Sequence, residues 1–321
     1  MSTQTSLVFI SQQVTKYLFT PILIFGVLGG CFNLLIFLSL RTFRENSCAF
    51  YLTIGSLANI GGLLSGLLWR LMNFGYNIDW TSTSIFYCKF RVFCLQESTL
   101  LSFTCICLAA IDQFLATSTR LRWQRWCNTK VAHRLVLFFS CLWMLHGISI
   151  FPFYNHVLSA ATNQTVCIVT NSILTDYINF GYIITLQGIL PYCVTLLFGY
   201  LAYRNVQQIS YRTIPLVRRE LDKQLTNIVL LQIVYNFLFT TPYIIIILLQ
   251  RDSSINSSSE IAARLQFANV LALSLYFLAF TCPFYVYICI SERFRRQFIY
   301  VVSKIFYIKD RQRNMTIQPI G

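Results

Sequence analysis

The sequence predicts an all-α membrane protein, a bundle of seven transmembrane helices, and three observations carry that prediction. Of 321 residues, 56% are hydrophobic and only 11% charged, against roughly a quarter charged in an ordinary soluble domain. The apolar residues form seven long continuous runs rather than the short alternating segments of a membrane β-barrel. Lysine and arginine are divided unequally among the connections between the runs. A hydrocarbon core about 30 Å thick takes about 20 apolar residues per helix, and lipid, which offers no hydrogen bonds, admits only helices or closed barrels.

In order, the runs are residues 17–40, 49–73, 90–115, 134–154, 178–203, 225–249 and 265–290. The first, preceded by residues 1–16 as a short tail, is longer than a signal-peptide core and lacks a following A-x-A cleavage pattern, so it counts as a span. The third runs out through Asp112 and Gln113 into a cluster of arginines. The fifth, sixth and seventh each contain a proline, Pro191, Pro242 and Pro283, which membrane bundles tolerate and which kinks a helix. After the seventh, Phe294, Phe298, Val301, Val302 and Ile305 recur at helical spacing behind Arg293, Arg295 and Arg296. Residues 291–307 therefore read as an amphipathic helix on the membrane surface and 308–321 as a tail. No repeat or low-complexity tract appears, and the connections are too short for a second domain.

Orientation follows from the basic residues, which accumulate on the cytoplasmic side. With the N-terminus outside, nineteen of the 25 Lys and Arg fall inside, leaving Lys16, Arg70, Lys89, Arg91, Arg251 and Arg264 outside. The expected localisation is the plasma membrane, with an extracellular N-terminus. The formal charge of +14 would suggest nucleic acid in a soluble protein. In a membrane protein anionic inner-leaflet lipid accounts for it, and no nucleic-acid partner is expected. The sequons at Asn163 and Asn256 then lie in outer loops, open to glycosylation, and Asn314 lies inside.

Most of the twelve cysteines lie within helices, as Cys31, Cys105, Cys107, Cys141, Cys193, Cys282 and Cys289 do, where a small polarizable packing residue is the ordinary role. None has zinc-ligand spacing with histidine, so neither metal nor other cofactor is expected. Cys88, at the outer start of the third helix, and Cys167, in the second outer loop, face the oxidising side and are expected to form a disulfide.

These features together resemble the rhodopsin-like class of G-protein-coupled receptors over essentially the whole chain. Trp80 stands shortly before Cys88, Trp143 is central in helix four, and "LPY" and "TTPY" supply Pro191 and Pro242. "GGCFNLLIF" carries Asn33 at the family's helix-one asparagine, and "GSLANIGG" places Asn59 where the family usually has an aspartate. "SERFRRQF" looks like the short helix after helix seven. Counting 25 residues on from Cys88 reaches Gln113, so Asp112-Gln113-Phe114 stands for the family's Asp-Arg-Tyr, with the arginine replaced by a neutral amide that lacks a guanidinium's charge and fork. The helix-six aromatic before Pro242 is Thr240, with Phe239 beside it. Asn-Pro-x-x-Tyr becomes Cys282-Pro283, with Val286 or, by one residue's slip, Tyr287 at the tyrosine position. Asn59, with Ser102 nearby, removes the acidic anchor of a sodium site.

The resemblance implies a receptor that transmits binding of an extracellular ligand to a heterotrimeric G protein. It places the ligand near Leu95, Gln96 and Thr99, with Phe103 deeper. Leu95 stands where amine receptors have an aspartate, which argues against an amine and leaves a neuropeptide as the preferred ligand, with Arg70 and Arg91 available to a carboxylate and Glu97 the one acid well inside a span. Each residue also has a plainer role. Asp112 would reach water or an inner-loop arginine, Asn33 and Asn59 would hydrogen-bond to each other, and Arg70 and Arg91 would reach toward headgroups. His146 has no evident partner. Trp123 and Trp126, interleaved with arginines, suit either an interfacial belt or a docking surface. Two other classes stay open. One is a receptor-like decoy or chemosensory protein without conventional coupling, for which the Asp112-Gln113-Phe114 triplet speaks. The other is a transporter, for which the chain lacks a relay of buried acids; no enzyme constellation assembles either.

Overall fold

The computed structural model describes residues 3–158, 165–209, 216–251 and 259–316. Its long helices are α1 (Thr3–Ser39), α2 (Ser47–Gly75), α3 (Ile85–Thr117), α4 (Thr129–Ile150), α5 (Ser172–Gln208), α6 (Leu216–Arg251) and α7 (Ser259–Thr281). After Cys282, α7 resumes as Pro283–Ile290, and α8 (Glu292–Thr316) follows. Among the described residues seven helices are long and apolar enough to cross a bilayer, and the chain is a multi-pass membrane protein built as an all-α bundle.

Every helix begins before the apolar run that announced it. Hydropathy measures the hydrocarbon, whereas the helix itself ends where a side chain takes over its free amides. Asn46 accepts from Ala49 N at 3.0 Å to open α2, and Asn128 accepts from Val131 N at 3.0 Å to open α4. Ser84 and Asn171 do the same for α3 and α5. No such stop precedes residue 17, so α1 extends back to Thr3 through residues read as a tail. Gln12 Nε2 donates to Gly75 O at 3.1 Å and ties that extension to the end of α2.

Three stretches depart from regular α geometry. The turns of α2 over Leu63–Leu67 and Leu71–Gly75 are π-helical, as is α5 over Tyr177–Ile189. The α5 stretch ends just before Pro191, which has no N–H with which to continue an i→i−4 ladder.

The packing divides into two apolar centres. Phe19, Leu63, Leu67, Phe277 and Phe280 fill the half nearer Cys88. Phe37, Phe43, Tyr51, Leu225, Tyr287 and Phe294 fill the opposite, arginine-rich half. Part of the apolar stripe of α8, Phe294, Phe298 and Val301, packs on the bundle. Phe294 is fully buried against Phe37, Phe284 and Tyr287, and Phe298 lies against Phe32 and Phe284, while Ile299 and Tyr300 are exposed.

At the other end β1 (Tyr154–Leu158) and β2 (Thr165–Val169) form an antiparallel hairpin with His156 opposite Cys167. Cys88 and Cys167 are disulfide-bonded, Cα atoms 5.9 Å apart, as their chemistry suggested. The bridge pins β2 to the start of α3. His156 Nε2 donates to Thr81 O at 2.6 Å, anchoring the neighbouring strand. The sequons at Asn163 and Asn256 lie outside the described residues.

Candidate functional site

At the arginine-rich end α3 brings Asp112, Gln113 and Phe114 inside the bundle. Asp112 is 7% exposed. Its carboxylate accepts from Ser47 Oγ at 2.8 and 2.9 Å, and Ser47 is the first residue of α2, where free backbone amides and the helix dipole favour negative charge. Among the described residues no arginine pairs with it. Asp112 is turned into the bundle rather than out to water, because α2 starts beside it, and among the described residues its side-chain partner is Ser47. The thiol of Cys127 donates to Asp112 O at 3.4 Å and folds the α3–α4 connection back onto the same turn.

Gln113, only 1% exposed, faces α6. Thr226 Oγ1 lies 2.8 Å from Gln113 Oε1 and 2.8 Å from Asp222 O. One hydroxyl carries one proton, so it cannot donate to both. Turning the amide over lets Nε2, which otherwise has no partner, donate to Thr226 while Thr226 donates to Asp222 O. In either orientation a neutral hydrogen bond joins α3 to α6.

Two further neutral bonds end on α6. Tyr287 OH donates to Gln232 Oε1 at 2.7 Å, and Gln224 Nε2 donates to Gln297 Oε1 at 3.3 Å, linking α6 to the second part of α7 and to α8. Tyr287 is buried, whereas its neighbour Val286 is only partly so. Phe114 packs between Trp123 and Phe198, with ring centroids 5.3 and 5.5 Å away. Trp123 is therefore a wedge under α3 as well as a rim residue, while Trp126 stays exposed. Beside these bonds lies a cavity of about 490 Å³ between α6 and the α7–α8 junction, lined by Lys223, Gln224, Asn227, Tyr287, Glu292 and Arg293 among others. Pro242 lies well above it in α6, with Thr240 buried and its hydroxyl unpartnered.

Mid-bundle, Ser102 Oγ donates to Asn59 Oδ1 at 2.5 Å. The expected bond between Asn33 and Asn59 is not formed: Asn33 Oδ1 has no partner, and the rotation of α2 presents Asn59 to α3 instead of α1. Cys282 occupies the N-cap position before Pro283 without a side-chain bond.

Toward the disulfide end a polar layer crosses the bundle. Gln96 Nε2 hydrogen-bonds to His146 Nδ1, which makes Nε2 the protonated nitrogen, and that N–H donates to Tyr177 OH at 2.5 Å. His146, which has no evident partner in the sequence, is thus held on both sides. Tyr276 OH donates to Gln187 Oε1 at 3.2 Å, and Tyr182 lies within reach of Thr99 and Gln187. Thr99 Oγ1 itself donates to Leu95 O at 2.7 Å.

The six residues read as one pocket divide between several places. Gln96 and Thr99 belong to the polar layer, while Leu95 packs its side chain on Gly66 of α2. The Arg70 guanidinium sits 4.2 Å from the Phe74 ring centre and that of Arg91 3.7 Å from the Trp69 ring centre, neither with a carboxylate partner among the described residues. Trp69 Nε1 donates to Asp79 Oδ1 at 3.1 Å, so its ring is fixed beneath Arg91. Glu97 points away from the bundle centre into a cleft between α2 and α3 that Arg91 also lines. Helix rotation explains the separation: neighbours in sequence at 95, 96 and 97 lie about 100° apart around α3. A comparison with models of known protein families and one with curated proteins each found no match.

Proposed function

We propose that this chain is a receptor that transmits binding of an extracellular ligand to a cytoplasmic heterotrimeric G protein by rearrangement of its helices, in the plasma membrane with its N-terminus outside. The observation that carries the reading is the convergence of three neutral hydrogen bonds on one half of α6, from Gln113, Tyr287 and Gln297, beside a cavity at the arginine-rich end. Bonds that end on one proline-containing helix hold it as a unit, and releasing that helix widens the cavity into a site for a partner. A ligand that favours the released arrangement shifts the population toward it.

The ligand class that fits is a peptide with an acidic group. Arg70 and Arg91 are stacked on aromatic faces at the disulfide end without acidic partners among the described residues, and such guanidiniums suit carboxylate forks.

A second reading has its own observation. Gln113 is uncharged and spends its one strong contact on Thr226, so a receptor-like protein without conventional coupling is the alternative. The test is G-protein dissociation in cells expressing the natural chain or Gln113→Arg, at equal surface level, across a panel of G proteins and a pooled peptide library. Ligand-dependent dissociation with the natural chain supports the first reading. Dissociation only with Gln113→Arg supports the second, and dissociation with neither sinks the first.

A further inference from the structure

Two residues that line the cleft between α2 and α3, Arg91 and Glu97, each carry a buried polar atom without a hydrogen-bond partner. Its volume is about 410 Å³, and Leu64, Phe90, Phe93, Arg91, Glu97 and Ser98 are among the residues around it. That volume lies within the range of small-molecule sites. It opens sideways, since Leu64 and Phe90 on its two walls are 47% and 46% exposed on the outer surface of the bundle. Glu97 Oε2 is buried with no hydrogen-bond partner, and so is Arg91 Nε. Leaving such groups unpaired in apolar surroundings is costly, and a native site that does so calls for an explanation.

We propose that this cleft binds an amphipathic amine that enters from the bilayer, its ammonium donating to Glu97 and a hydrogen-bond acceptor accepting from Arg91. The carboxylate calls for a cation with protons to give. The rings of Tyr87, Phe90 and Phe93, which line the same cleft, suit a cation too, because aromatic faces attract positive charge. The second group is set by the helix. Arg91 lies six positions before Glu97 along α3, an axial rise of about 9 Å between their backbones, so the acceptor is separated from the nitrogen by roughly that length, on the side toward the disulfide. At that distance the repulsion of the ammonium by Arg91 is weaker than its attraction to the carboxylate in contact with it, and the Arg91 charge rests on the face of Trp69. The site is separate from the polar layer of Gln96 and His146, and the inference stands whether or not the chain couples to a G protein.

The probe is a 6-aminohexanoyl anilide carrying an aryl diazirine, whose extended ammonium-to-carbonyl span matches that rise. It is photolysed with the full chain in phosphatidylcholine vesicles, and the labelled peptides are mapped by mass spectrometry. Saturable labelling of α2 and α3 around residues 61–65 and 87–98 is expected, competed by the unlabelled amine and not by its N-acetyl derivative. Glu97→Gln should weaken binding about tenfold or more, the loss of one charge-assisted hydrogen bond, and Arg91→Gln should weaken it less. Leu64→Trp, which fills the cleft and keeps Glu97, should abolish labelling, and it decides the matter if Glu97→Gln fails to fold. Equal labelling of Leu64→Trp overturns the proposal. So does competition by the N-acetyl derivative, which would show partition of an apolar body, or displacement by cholesterol alone, which would show a site for a hydroxyl-bearing lipid.

Discussion

Replacing Thr226 by valine removes one hydroxyl from α6 and changes little else in shape. In the folded protein that hydroxyl lies 2.8 Å from the Gln113 amide, and both side chains are buried. A neutral hydrogen bond contributes about 1 kcal/mol, and leaving the Gln113 amide wholly unpaired adds roughly another 1 kcal/mol or more of desolvation cost. A total near 2 kcal/mol loosens the α3–α6 contact by roughly 30-fold. Hydrogen–deuterium exchange of the natural chain and Thr226→Val in lipid bilayers reads this directly. Backbone amides over residues 220–232 should exchange faster by about that factor, with those of α4 unchanged. The double change Gln113→Leu with Thr226→Val substitutes an apolar pair for a polar one, which costs little when both partners go together, so it should recover most of the protection. Unchanged exchange in Thr226→Val would refute the reasoning, and a double variant as loose as the single one would assign the effect to packing.

Other changes test the remaining contacts. Ser47→Ala deprives the Asp112 carboxylate of both its close hydroxyl contacts and should destabilise the protein by about 2 kcal/mol, measured as a lower thermal midpoint, with Ser47→Thr nearly neutral. Tyr287→Phe removes the bond to Gln232 and should cost about 1 kcal/mol, again seen as faster exchange in α6. Cys167→Ser opens the bridge to α3 and should lower stability by roughly 2–5 kcal/mol, read as loss of folded protein at the cell surface. Trp69→Leu takes away the ring under Arg91 and should weaken binding of an acidic peptide several-fold by leaving the guanidinium free to reorient, checked by radioligand competition once such a peptide is found.

Length and polarity were enough to read the spans, because a bilayer fixes both, and the redox side of the membrane was enough to pair Cys88 with Cys167. What escaped depended on rotation and register between helices. Gln113 meets Thr226 across 113 positions of sequence, and Gln96 meets His146 across 50; nothing in either local stretch specifies which face of α6 or α4 is turned inward. Asn33 and Asn59 failed to pair for the same reason. For Asp112 an acid near a run of arginines suggests an ion pair, whereas the start of α2 places a serine beside it. The first sixteen residues looked like a tail because hydropathy falls there, yet nothing in "TQTSLVFISQQVTK" stops a helix.

On the proposed reading, the neutral character of the α6 contacts sets how hard the bundle is to switch. A buried ion pair broken by removal of one partner costs about 3–5 kcal/mol, because it leaves a stranded charge. Each neutral bond from Gln113, Tyr287 and Gln297 contributes only about 1 kcal/mol, and none leaves a charge behind when it opens. Releasing all three together costs about 3 kcal/mol, at the upper end of the 1–3 kcal/mol coupling that a ligand typically supplies. Asp112, meanwhile, keeps its serine and its helix terminus whichever way α6 moves, because both lie on α2. The carboxylate is therefore an anchor for α2 against α3, and the moving contact is the amide beside it. A charge at position 113 would change the balance rather than add to it. An arginine there would pair with Asp112 inside α3 and give up the amide bond to Thr226, so Gln113→Arg should loosen α6, with faster exchange over residues 220–232. Slower exchange in that variant would mean that the guanidinium holds Thr226 and its neighbours on α6 more firmly than the amide does, and that charge tightens the closed arrangement.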